Sequence, residues 1–136
     1  MIVLVDTDVL VDLALGPAPC ADDAAALVDA LERGAARVFV AWHTVSNFFS
    51  LVSARQGATA TRRFIDDLMQ FIDIAPATTV HLRAASALAL KDFEDAMQVG
   101  AALACGAEVI ATRNTRDSRK SPIPALAPAQ VLSRLL

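Results

Sequence analysis

An apolar, β-branched run, Ile-Val-Leu-Val at positions 2–5, stops abruptly at Asp6. Such a run offers no polar face to water. It therefore predicts a strand covered on both sides, the kind that belongs to a parallel sheet. Further short runs of this type lie at 37–40, 73–75, 108–111 and 123–126. Between them, apolar residues at helical spacing predict helices over 9–15, 22–33, 44–55, 61–71, 79–90, 92–105 and 129–136, with Pro128 suited to the first turn of the last. Gly16, Gly34, Gly57 and Gly106 fall where four of these helices should stop. Strands alternating with helices predict an α/β fold, three layers in α/β/α order, with a central, largely parallel sheet of about four to five strands. A length of 136 residues suits a single domain spanning 1–136.

Composition narrows the function classes. A net charge of −3 excludes a globally basic nucleic-acid binder but leaves room for a local basic patch. One such patch is present, with Arg113, Arg116, Arg119 and Lys120 close together. Cys20 and Cys105 are too few for a disulfide framework and sit in alanine-rich helical sequence, where buried thiols are expected. No apolar run approaches the ~20 residues of a membrane span. The first residues lack the basic stretch of a signal peptide, so a cytoplasmic protein without a membrane association is expected.

In parallel sheets, ligands bind beyond the carboxyl ends of the strands. Asp6, Thr7 and Asp8 follow the first strand, while Thr112, Asn114 and Asp117 follow the strand at 108–111. Asp92, Glu94 and Asp95 open the most apolar helix. Each group has an ordinary reading on its own, Asp92 as a helix N-cap and Asn114 and Asp117 as turn residues. Together they place carboxylates where the fold converges. Converging carboxylates repel unless a cation lies between them, and Mg²⁺ or Mn²⁺ suits an all-oxygen donor set. No His/Cys cluster suits zinc, and neither a Gly-rich phosphate loop nor a G-x-S-x-G elbow is present. His43 and His81 stand apart from the acidic groups and are read as structural or surface residues.

Three segments carry a resemblance to a known family. Val-Leu-Val-Asp-Thr-Asp-Val-Leu-Val-Asp at 3–12 resembles the opening motif of PIN domains. Phe-Glu-Asp-Ala-Met-Gln at 93–98 is similar to the Asp-Ala helix start of that family, and Glu-Val-Ile-Ala-Thr-Arg-Asn-Thr-Arg-Asp at 108–117 to its late strand and the polar segment after it. The stretch at 123–128 resembles its short closing strand. Among compact bacterial PIN domains, the likeness is to VapC-type toxins of toxin–antitoxin pairs.

The resemblance implies a Mg²⁺- or Mn²⁺-dependent endoribonuclease that hydrolyses RNA phosphodiester bonds and is neutralised by a cognate antitoxin. It implies Asp6, Asp95 and Asp117 as metal ligands, and Thr7, Thr112, Arg113 and Arg116 as contacts to RNA. Asn47 stands where the family usually has a Glu, and Asn114 where it has an Asp. Both amides would orient ligands or water, and they leave the site fewer negative charges than the family pattern. PIN domains of this type commonly pair, so a homodimer is expected. Two other readings remain open. A PIN-like module whose site has lost activity would only bind RNA or a partner. An Asp-based phosphatase would use Asp6 and Asp8, although Leu10 stands where that chemistry wants Thr.

Overall fold

The computed structural model describes residues 1–115 and 121–136. The elements run β1 (Ile2–Val5), α1 (Thr7–Leu15), α2 (Cys20–Glu32), β2 (Arg37–Val40), α3 (Trp42–Gln56), α4 (Ala58–Leu68), β3 (Ile72–Ile74), α5 (Thr79–Ser86), α6 (Phe93–Cys105), β4 (Val109–Ala111), β5 (Ala125–Leu126) and α7 (Pro128–Leu135). The strands form a five-stranded sheet in the order β3-β2-β1-β4-β5, with every neighbouring pair parallel. The expected α/β architecture is present, with β1 at its centre.

Strand periodicity divides the core in two. Val3 and Val5 of β1, Val38 and Val40 of β2, and Val109 and Ala111 of β4 face one layer, where they meet Val9, Leu27, Phe48, Val52 and Val131. Leu4, Phe39 and Ile110 face the other, against Val99, Ala101 and Ala102 of α6. Both faces of the sheet are therefore covered, which is why the strands read as unbroken apolar runs. Helix α6 is buried along its middle, from Ala96 through Ala102 with Met97 partly so. Gly100 makes this close packing possible, because a Cβ there would lie 3.2 Å from the backbone oxygen of His81 on α5.

Two boundaries depart from local expectation. Helix α1 begins at Thr7, directly after the strand, because the Asp6 carboxylate caps it by accepting the Thr7 N–H at 2.6 Å. Helix α5 ends at Ser86 although Ala-Leu-Ala-Leu follows at 87–90. Leu88 and Leu90 pack on the second core cluster instead. Tertiary burial there outweighs the helix propensity of alanine and leucine.

Candidate active site

The site forms at the carboxyl edge of β1 and β4. The backbone N–H of Asp6 donates to Ala111 O at 2.9 Å, which extends the sheet pairing by one residue and fixes the Asp6 side chain at the strand end. The next residue of β4's continuation, Thr112, donates its backbone N–H to Leu126 O at 2.9 Å. Its hydroxyl lies 2.9 Å from Asp6 Oδ2 and 3.1 Å from Asp8 Oδ2, so one hydroxyl proton bridges two carboxylates. Asp8 Oδ2 also accepts the Arg113 N–H at 3.1 Å, while Asp8 Oδ1 is buried without a hydrogen-bond partner among the described residues.

From the other side, α6 contributes Asp95. Asp92 caps this helix, its carboxylate accepting the Glu94 N–H at 2.8 Å, and that cap sets the first turn in which Asp95 lies. Asp6, Asp95, Gln98, Thr112, Asn114 and Ser121 line one cavity of about 40 Å³, with Leu90, Val99, Ile110 and Ala125 as its apolar wall. The two carboxylates that the sequence singles out at a strand end and a helix start thus share a cavity.

The electrostatics follow from that enclosure. Burial is the largest influence on Asp6 and pushes its carboxyl up to about 7. The charge of Asp8 adds to the rise, hydrogen bonds from Thr112 and Thr7 oppose it, and Asp95 contributes a smaller repulsion. Asp8 is also raised, mainly by burial. A site that raises its own carboxylates in this way is short of positive charge. Carboxylate, amide and hydroxyl oxygens are the donors a hard divalent cation takes, and Mg²⁺ characteristically uses one or two carboxylates and keeps several waters. The residues present therefore fit such an ion, although among the described residues no group of three or more acidic, His or Cys side chains is gathered to hold one.

The remaining expected site residues are distributed as follows. Asn114 lines the cavity, and its N–H donates to Thr112 Oγ1 at 3.1 Å. Asn47 does not line it; its Nδ2 donates to Glu94 Oε1 at 3.1 Å, tying α3 to the start of α6. Thr7 and Thr112 are both buried, and their hydroxyls bond Thr44 and the carboxylates respectively; Thr112 also lines the cavity. Arg113 is half-exposed, and its Nε pairs at 2.6 Å with the buried carboxylate of Asp12. Asp117, Arg116, Arg119 and Lys120 lie outside the described residues.

Sequence reasoning placed Asp8 in the acidic group after the first strand but missed Asp12, Thr44 and Gln98 as parts of this assembly. Asp8 and Asp12 stand at helical spacing from one another on α1, a readable signal. Gln98 is three residues after Asp95, on the same face of α6. Thr44 carries no local signal. Of the histidines, His43 sits beside Gln98 and is lowered by burial against the opposing charge of Glu94, and His81 caps α5 by accepting the Thr78 N–H at 3.0 Å.

Comparison with known proteins places the chain by fold and by family. The crystal structure of VapC20 from Mycobacterium tuberculosis, described as a toxin that cleaves the sarcin-ricin loop, superposes with a TM-score of 0.65 at 14% identity, covering 85% of this chain and 92% of that one. At that identity the likeness is one of fold. No curated protein matches the sequence significantly. The PIN domain family model matches residues 2–116, and the chain belongs to the PIN domain family.

Proposed function

We propose that this protein is a divalent-metal-dependent endoribonuclease, the toxin of a VapBC-type toxin–antitoxin pair, acting in the cytoplasm. What carries the reading is the convergence of Asp6 and Asp95 on one cavity at the carboxyl edge of a parallel sheet, in a chain of this family. Asp6 and Asp95 would hold Mg²⁺ or Mn²⁺, with Asp117 as a third ligand. Such an ion, when bound, lowers the pKa of a coordinated water and stabilises charge on a phosphoryl oxygen. The chain's own residues do the rest. Thr112 and the N–H of Thr7 hold the Asp6 carboxylate in place. Asn114, which lines the cavity, would offer its amide to the phosphate, and Asn47 holds Glu94 at the start of α6. Arg113 and Arg116 draw in the RNA backbone.

The test is cleavage of a structured RNA in Mn²⁺ and in EDTA. Cleavage only with the ion is expected. RNA binding without cleavage in either condition would make the protein a binding module, and a trapped aspartyl-phosphate would make it a phosphatase.

The proposed partners are RNA, a cognate antitoxin and a second copy of this chain. For the antitoxin, co-purification with the product of an adjacent small reading frame is the check, and failure of that product to bind would remove the pairing. For the homodimer, the support is a set of exposed apolar side chains. Trp42 is 78% exposed, and Val80, Leu82 and Phe93 are also open to solvent. Trp42, Leu82 and Met97 line one groove. An exposed tryptophan in such a setting is typical of an interface core. Light scattering is expected to give a dimer for the wild type and a monomer for Trp42→Ala at micromolar concentration. A monomeric wild type would contradict the pairing.

A further inference from the structure

Gln98 is 3% exposed, yet its Oε1 has no hydrogen-bond partner among the described residues and the residue lines the acidic cavity. Its Nε2, by contrast, is fully engaged. It donates to Thr44 Oγ1 at 3.0 Å and lies 3.3 Å from His43 Nε2. Thr44 Oγ1 in turn accepts the hydroxyl of Thr7 at 3.0 Å, so the amide is fixed from α1 and α3 together. Burial lowers the His43 pKa, which favours a neutral ring able to accept the amide proton at Nε2. With the nitrogen held by Thr44 and His43, the oxygen is the atom left without a partner in a residue that lines the cavity. A buried acceptor without a partner is destabilising, and this fold maintains one beside two carboxylates. The cavity, at about 40 Å³, exceeds the roughly 10–15 Å³ that a water requires. Asp6, Asp95 and Asn114 supply the further polar partners that a buried water needs.

We propose that Gln98 is a positioning residue that holds a water in the active-site cavity: its Oε1 accepts a hydrogen bond from a water seated against Asp6 and Asp95, and Thr44 and His43 keep the amide turned to do so. The water itself is argued from the cavity and the unpartnered oxygen, independently of any metal. Its part in metal binding rests on the proposed divalent-cation function, in which it belongs to the ion's hydration shell and Gln98 supports the ion without touching it. Outer-shell partners of this kind alter metal affinity by roughly 10–100-fold.

Two measurements test this. Crystals of the wild type, grown without metal and soaked with Mn²⁺, should show an ordered water about 3 Å from Gln98 Oε1. Mn²⁺ titration by calorimetry should show roughly tenfold weaker binding for Gln98→Met, which keeps the shape and loses the acceptor, and affinity at or above wild type for Gln98→Glu, which restores an acceptor. A dry Oε1 in well-ordered crystals overturns the proposal, whether or not Gln98→Met folds. Equal Mn²⁺ affinity for folded Gln98→Met and wild type overturns the role in metal binding and leaves the divalent-cation function standing. A wild type that binds no Mn²⁺ but shows the water keeps the proposal and overturns that function instead.

Discussion

Asp6→Asn and Asp95→Asn are each expected to lower RNA cleavage by roughly a thousandfold, the scale of several kcal/mol of lost charge stabilisation at a metal-assisted phosphoryl centre. Both side chains line the same cavity, and each change removes a formal charge while keeping the shape. Neither variant should lose its fold, because relief of repulsion offsets the altered hydrogen bonding. Asn47→Ala should be far milder, since that amide bonds Glu94 and does not line the cavity. Single-turnover cleavage at saturating Mn²⁺ measures all three. An Asn47→Ala loss as large as that of Asp6→Asn would move the chemistry toward α3 and away from the described cavity.

The second large effect concerns pH in the absence of metal. The Asp6 carboxyl is pushed from 3.8 up to about 7, chiefly by burial and then by the charge of Asp8. The folded value lies above the unfolded one, so the unfolded chain gives up this proton first. The group's stabilising contribution is therefore complete below about pH 4 and is lost as pH rises toward about 7. At about 1.4 kcal/mol per pKa unit, the loss amounts to a few kcal/mol. Denaturation in EDTA should show the wild type weaker at pH 8 than at pH 5, with most of that slope absent in Asp6→Asn. Saturating Mn²⁺ should restore the loss at pH 8 by binding the folded state alone. Equal pH slopes in wild type and Asp6→Asn would contradict the assigned burial of this carboxylate.

Much of the fold is legible because it rests on local patterns. Residues 2–5, 37–40 and 108–111 read as buried strands since both faces of the sheet are covered, and the glycines at 34, 57 and 106 mark helix ends through their positive φ. Asp6 and Asp95 are legible because strand ends and helix starts are where this architecture gathers polar groups. The polar scaffold behind them is not. Gln98 and Thr44 are 54 residues apart, and Thr112 and Asp6 are 106 apart. Nothing in either segment marks the other, so such pairings emerge only once the sheet has brought β1, α3, α6 and β4 together. The same holds for Thr7 and Thr112. The resemblance implies them as contacts to RNA, and the sequence does not show that their hydroxyls also hold Thr44, Asp6 and Asp8. The early end of α5 has the same origin, because the demand for Leu88 and Leu90 comes from the sheet and from α6.

In the proposed function Asp6 and Asp95 together hold a divalent cation. Calorimetric titration with Mn²⁺ of the wild type, Asp6→Asn and Asp95→Asn, each first confirmed as folded, tests it most directly. The account predicts saturable binding by the wild type and a loss of at least about tenfold in affinity for each variant, since ligand charge count governs the affinity of hard cations. Equal binding by all three proteins would contradict it.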